Sequence, residues 1–131
     1  MKRYIFLMFF LLLISCSNID KISTINNFEK NKISKEVIKV QDEIIDLAKI
    51  DNKDEIKKNI TMTLKNRIIL SYLSNYDFSK FLVVFSEEIE VLDRYTAKSI
   101  LLINFETETV YFEVIWKNYD GKWMIDSVES E

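Results

Sequence analysis

A chain of 131 residues with 18 basic and 21 acidic side chains, no histidine, no proline, one glycine and one cysteine is bounded mainly by what it lacks. Without histidine there is no imidazole base near neutral pH, the commonest metal ligand is missing, and Ser-His or Cys-His catalytic pairs are excluded. The single thiol, Cys16, leaves no partner for a disulfide, a redox pair or a thiolate metal cluster. The formal charge of −3 withholds the basic footprint of a nucleic-acid binder, so no nucleic-acid partner, metal or cofactor is expected. Nineteen Ile, fifteen Lys and ten Asn beside two Ala follow A/T-rich codons, and Lys and Asn abundance therefore carries no functional weight.

Taken in order, the chain opens with Lys2 and Arg3, then eleven apolar residues from Tyr4 to Ile14, then Ser15 and Cys16. A short cationic start, an apolar run and a small residue before a cleavage point form a signal-peptide layout. The run is too short to span a bilayer, which needs about 20 apolar residues. Its ending, Leu13-Ile14-Ser15-Cys16, resembles the lipobox of bacterial lipoproteins. The resemblance implies diacylglyceryl transfer to the Cys16 sulfur, cleavage after Ser15, and acylation of the new amino terminus. Two or three chains on one residue would satisfy the need for more than one acyl group in stable anchoring. The expected arrangement is therefore a leader over 1–15, a lipidated cysteine with a polar tether over 16–33, and one domain over 34–131. Ser17 stands where some lipoproteins carry the aspartate that retains them at the inner membrane. Outer-membrane or cell-surface placement in the bacterial envelope is favoured.

Cleavage would leave 116 residues with 16 basic and 21 acidic side chains, enough for one modest core. That balance offers no polybasic patch for anionic lipid. Ser17 to Ile33 reads as the tether, with a frayed first helix of the domain as the alternative. Ser34 can cap a helix whose Val37, Ile38, Ile44, Ile45 and Ala48 share a stripe, running to about Ile50. A cap at Asp51 or Asn52 opens a second helix with Ile56, Ile60, Leu64, Ile68 and Tyr72 at four-residue steps.

The period then changes from about 3.6 to 2. Phe81 to Phe85 is a continuous apolar run suited to a strand buried on both faces, and Glu88 to Val91 alternates. Thr96 to Phe105 and Thr109 to Lys117 read as long strands, the second with Val110, Phe112, Val114 and Trp116 on one face and Tyr111, Glu113 and Ile115 on the other. Asp120-Gly121 predicts a tight hairpin into a last strand, Lys122 to Val128. The expected fold class is α+β: two N-terminal helices packed on a curved antiparallel meander sheet of four to five strands.

The stretch Trp116 to Val128, with Asp120, Gly121, Lys122, Trp123, Ile125 and Val128, resembles the terminal hairpin of small nuclear transport factor 2-like domains. The resemblance implies a curved sheet around helices with a cone-shaped hollow, which in that superfamily is an enzyme site, a ligand pocket or plain core. The residues that could line such a pocket are Glu113, Tyr111, Trp116, Trp123 and Phe112. Glu113 is the candidate general base, against its reading as an outward carboxylate. Glu87, Glu88 and Glu90 could hold a hard cation or protect a strand edge by charge; no metal site or catalytic residue is assigned. Tyr119 in the turn could meet a partner. Two functional expectations follow. One is a lipid-anchored, non-enzymatic interaction or structural domain outside the cytoplasmic membrane; the other is a small-molecule binder or enzyme built on the cone.

Overall fold

The computed structural model describes residues 25–130; the expected leader, Cys16 and the first part of the tether lie outside them. These residues form an α+β fold, with one long helix, two short ones and a five-stranded antiparallel sheet that does not close.

Helix α1 spans Asn27–Lys49 and begins where Asn26 Oδ1 accepts the Glu29 amide at 2.8 Å. This N-cap satisfies one of the free donors of the first turn and places the helix start eight residues before Ser34. The segment 27–33 is therefore helix and not tether, because Ile33 extends the stripe that continues through Val37, Gln41, Ile44 and Ala48, all buried. Asp51 ends α1 in the left-handed region at φ 53°, with the Asn52 amide bonded to Leu47 O at 2.9 Å.

The expected second long helix is broken in two. Helix α2 is only Lys53–Lys57, and α3 is Leu64–Leu73. Between them the backbone pairs with the sheet: Ile125 N donates to Asn59 O at 2.8 Å and Thr61 N to Ile125 O at 2.9 Å. Ile60, Thr61 and Thr63 are β-branched and resist helix, so this edge pairing prevails, and Thr63 then caps α3 through the Asn66 amide. The break resets the helical phase. Asn66, Ile69, Leu70 and Leu73 turn inward, while Leu64, Ile68 and Tyr72, expected to be the buried stripe, are 75%, 52% and 72% exposed.

After a 3-10 turn at Phe78–Lys80, the strands are β1 (Leu82–Phe85), β2 (Glu90–Asp93), β3 (Thr96–Phe105), β4 (Glu108–Tyr119) and β5 (Lys122–Ser130). β3, β4 and β5 form a meander, and β1 and β2 both pair with β3 along its other side. β1 is thus an edge strand with one face uncovered: Leu82 and Val84 are exposed, which corrects the expectation of burial on both faces. The Asp-Gly turn forms as its chemistry demands, with Tyr119 opposite Lys122, Asp120 at φ 52° and Gly121 at φ 89°. A bulge between Ile115 and Trp116 shifts the β4–β5 register, so that Ile125 and Val128 both belong to the inner face.

α1 lies on that inner face, with Ile33, Val37 and Ile44 packed in one cluster with Phe85, Ala97, Val114, Trp116, Trp123 and Ile125. Each indole finds a partner, as buried Trp requires. Trp116 Nε1 donates to Ser99 Oγ at 2.9 Å and Trp123 Nε1 to Glu36 Oε2 at 3.0 Å.

Candidate functional site

At the other end of the inner face the helices and the sheet do not meet. Between them lies a partly open cavity of about 460 Å³. Its floor is the inner face of the sheet, from Val83 and Phe85 through Leu101, Ile103 and Phe105 to Phe112, Ile125 and Val128. Its roof is Ile44 and Ala48 of α1, Ile56 of α2, and Asn66, Ile69, Leu70 and Leu73 of α3. Tyr76, Phe78 and Phe81 close one side; Phe81 stacks edge-on against Phe105 at 4.7 Å and lies 6.2 Å from the Tyr76 ring.

Two local devices hold this roof. Asp51 Oδ1 accepts the Phe78 amide at 3.0 Å, and Lys53, paired to the same carboxylate at 3.0 Å, sits 5.3 Å from the Phe78 ring centroid. The 3-10 turn is thereby pinned to the end of α1. Asn66 pins α3: its Nδ2 donates to Thr61 O at 2.9 Å, Thr61 Oγ1 at 3.0 Å and Asp126 O at 3.0 Å. Asn66 is only 3% exposed, and its amide protons are committed to the neighbouring backbone and hydroxyl.

The lining sets the chemistry. Among the described residues Asn66 and Tyr76 are the only lining residues with polar side-chain groups; the other lining side chains are hydrocarbon. Among the described residues no carboxylate, amine or thiol lines the space, and the lining offers apolar contact. A cavity of this size falls in the range of ligand sites, about 300–1,000 Å³.

Of the five pocket residues expected from the sequence, Phe112 lines the cavity. Trp116 and Trp123 fill the adjoining core, at 0% and 2% exposure. Glu113 and Tyr111 are on the opposite face of the sheet, because residues alternate along β4 and Phe112 points inward. Glu113 approaches Lys98 at 3.6 Å, and Glu90 approaches the same amine at 3.5 Å. The two carboxylates, Glu113 first, hold the Lys98 pKa above its ordinary value. Glu113 is thus an ion-paired surface group outside the cavity, and Glu90 is a strand-edge charge. Among the described residues no cluster of three or more Asp, Glu, His or Cys could hold a metal. Tyr119 donates its hydroxyl to Asp126 Oδ1 at 2.9 Å, and Lys117 approaches Asp126 Oδ2 at 3.3 Å.

Among the lining residues not expected from the sequence, those of the α3 roof, Asn66, Ile69, Leu70 and Leu73, decide the site. Their signal was present, since Ile69, Leu70 and Leu73 have helical spacing of their own, but Leu64, Ile68 and Tyr72 offered a competing stripe in the same ten residues.

No protein-family model, curated protein or solved structure matches this chain. Among the described residues no helix is long and apolar enough to cross a membrane.

Proposed function

We propose that this chain is a lipid-anchored protein of the bacterial cell envelope, held through Cys16 outside the cytoplasmic membrane, whose domain is a nuclear transport factor 2-like cone that binds an apolar small molecule without transforming it. The observation that carries the binding reading is the 460 Å³ cavity with its hydrocarbon lining and the single amide of Asn66. A lining without carboxylate, amine or thiol favours a binder over an enzyme. The anchor rests on Leu13-Ile14-Ser15-Cys16, and the cone on the Asp120-Gly121 hairpin together with the helix-covered inner sheet face. The favoured location is the outer membrane or the cell surface.

Titration of the purified protein with a fluorescent fatty acid, read by energy transfer from Trp116 and Trp123, tests the binding. Saturable transfer that falls at least tenfold in Ala48→Phe, which places a ring in the space, is the expected result. Transfer that is absent, or unchanged by Ala48→Phe, refutes it. The anchor is tested separately by metabolic labelling with a radioactive acyl chain, which Cys16→Ala should abolish.

A further inference from the structure

Helix α3 is apolar on two opposite sides. Its inner side roofs the cavity, while Leu64, Ile68 and Tyr72 form a second stripe facing solvent, with Met62 beside its start at 48% exposure. α3 thus carries two apolar stripes separated by Lys65 and Arg67, and only the inner one has a core to cover it. The charges around it point to what covers the other. From Ile56 to Tyr76 the chain holds Lys57, Lys58, Lys65 and Arg67 and not one carboxylate, although the protein as a whole is net acidic at −3. At 100° per residue Lys65 and Arg67 project to either side of the Leu64–Ile68–Tyr72 stripe. Lys58 is committed to Glu55 at 2.6 Å, whereas on α3 Lys65 only approaches the exposed Glu129 at 3.7 Å and Arg67 has no acidic partner within 4 Å among the described residues. The chain has no polybasic run, but the fold sets Lys65 and Arg67 on the two flanks of an apolar stripe, the arrangement of a helix lying in the interface of an anionic bilayer with apolar side chains below the headgroups and cationic groups at phosphate level.

We infer that the outer face of α3 docks on an anionic lipid surface, so that the helix roofing the cavity is also the part of the domain in contact with membrane, and that the cavity ligand is an acyl chain drawn from that surface. The inference rests on the proposed reading for the presence of a membrane beside the domain and for an apolar occupant of the cavity. Arg67 and Lys65 orient α3 on phosphates, Leu64, Ile68 and Tyr72 enter the acyl boundary, and Ile69, Leu70 and Leu73 meet a chain from the other side. A second copy of this chain would also cover an apolar stripe, but two copies would bring the cationic flanks of both helices together with no carboxylate on either helix to offset them.

The test uses the full lipidated protein in vesicles of phosphatidylcholine, with or without one-third phosphatidylglycerol, carrying a quencher on the acyl chains. An environment-sensitive dye is placed at Ser71→Cys, exposed at the rim of the stripe, or at Tyr111→Cys on the opposite side of the sheet. Docking predicts a blue shift and quenching at 71 but not at 111, stronger in anionic vesicles. Both signals should be lost on Lys65→Glu/Arg67→Glu or Leu64→Glu/Ile68→Glu. Equal signals at both sites, no signal at 71, or a signal that appears only at high protein density and so reports self-association, each overturns the docking. Ala48→Phe separates the two ideas. It should leave dye quenching at 71 intact while removing labelled lipid from the extracted protein; extracted lipid unaffected by Ala48→Phe overturns the acyl-chain ligand alone.

Discussion

Where β4 and β5 face the first half of α1, Val37, Val114 and Trp116 are wholly excluded from solvent and Trp123 nearly so. Where β1 and the second half of β3 face α3, the same inner sheet face surrounds 460 Å³ of unfilled space. Both ends are lined by the alternate residues of the same strands, so hydropathy pattern does not separate them. What separates them is the covering element. α1 is a 23-residue helix with buried side chains at regular steps along its length, and it lies close enough for two indoles to fill the gap. At the far end, the cover consists of a five-residue helix, a stretch paired to β5, and a ten-residue helix tied down by one asparagine. Short elements hung on hydrogen bonds hold a roof at a distance, whereas a long continuous stripe is drawn down until it packs. The hollow is a consequence of how the chain was interrupted at Lys58 to Thr63.

The contrast can be broken most sharply at the filled end. Trp116→Ala removes a fully buried indole and orphans Ser99 Oγ, and urea denaturation should register a loss of about 3–5 kcal/mol. Asn66→Ala removes the tie of α3 and should cost about 1–3 kcal/mol. Its sharper signature is local: amides of α3 should lose hydrogen-exchange protection while those of β4 keep it. Enlarging a residue should have opposite consequences at the two ends. Val114→Phe, where nothing is free to move, should destabilise by about 1–3 kcal/mol, whereas Ala48→Phe should stay within about 1 kcal/mol of the parent because its ring enters existing space. Equal losses from the two substitutions would mean that the hollow collapses in solution.

The smallest effect concerns the polar rim beside β5. The hydrogen bond from Tyr119 to Asp126, supplemented by desolvation and the charge of Asp126, raises the tyrosine pKa above its ordinary 10.0. A raised folded-state pKa contributes stability that is fully present below the unfolded value and lost as pH climbs through the folded one. The dependence therefore falls above pH 10.0, and spectrophotometric titration should find Tyr119 moving back toward 10.0 in Asp126→Asn.

Reading the chain residue by residue exposes where local pattern suffices. Thr96–Phe105 is a strand over the expected bounds, and Phe112, Val114 and Trp116 share one face of β4 as expected, because side chains alternate with period 2 along a strand. Asp120-Gly121 was legible for a different reason, since only a turn with positive φ has a use for glycine there. Leu64, Ile68 and Tyr72 misled because a four-residue step is the same whether a stripe faces protein or not. Glu113 had two readings, pocket base or outward carboxylate, because its candidacy depended on which face of β4 bordered a hollow, and one strand cannot say that of itself; the structure gives it the outward place.

The amino-acid sequence by itself determined the helix-then-strand order, the bounds of the strand Thr96–Phe105, the tight β4–β5 turn and the absence of imidazole and disulfide chemistry from the domain, since each follows from residue type and short-range geometry. Only the tertiary structure decided that α2 and α3 are separate, that the two tryptophans are packing rather than pocket, and that a cavity remains between α3 and the sheet. Those outcomes depend on Asn59 and Thr61 meeting Ile125, and on Asn66 meeting Asp126, contacts between residues some sixty positions apart. The distance at which a helix comes to rest on a sheet is a competition among such contacts, and no local window of the chain contains both competitors.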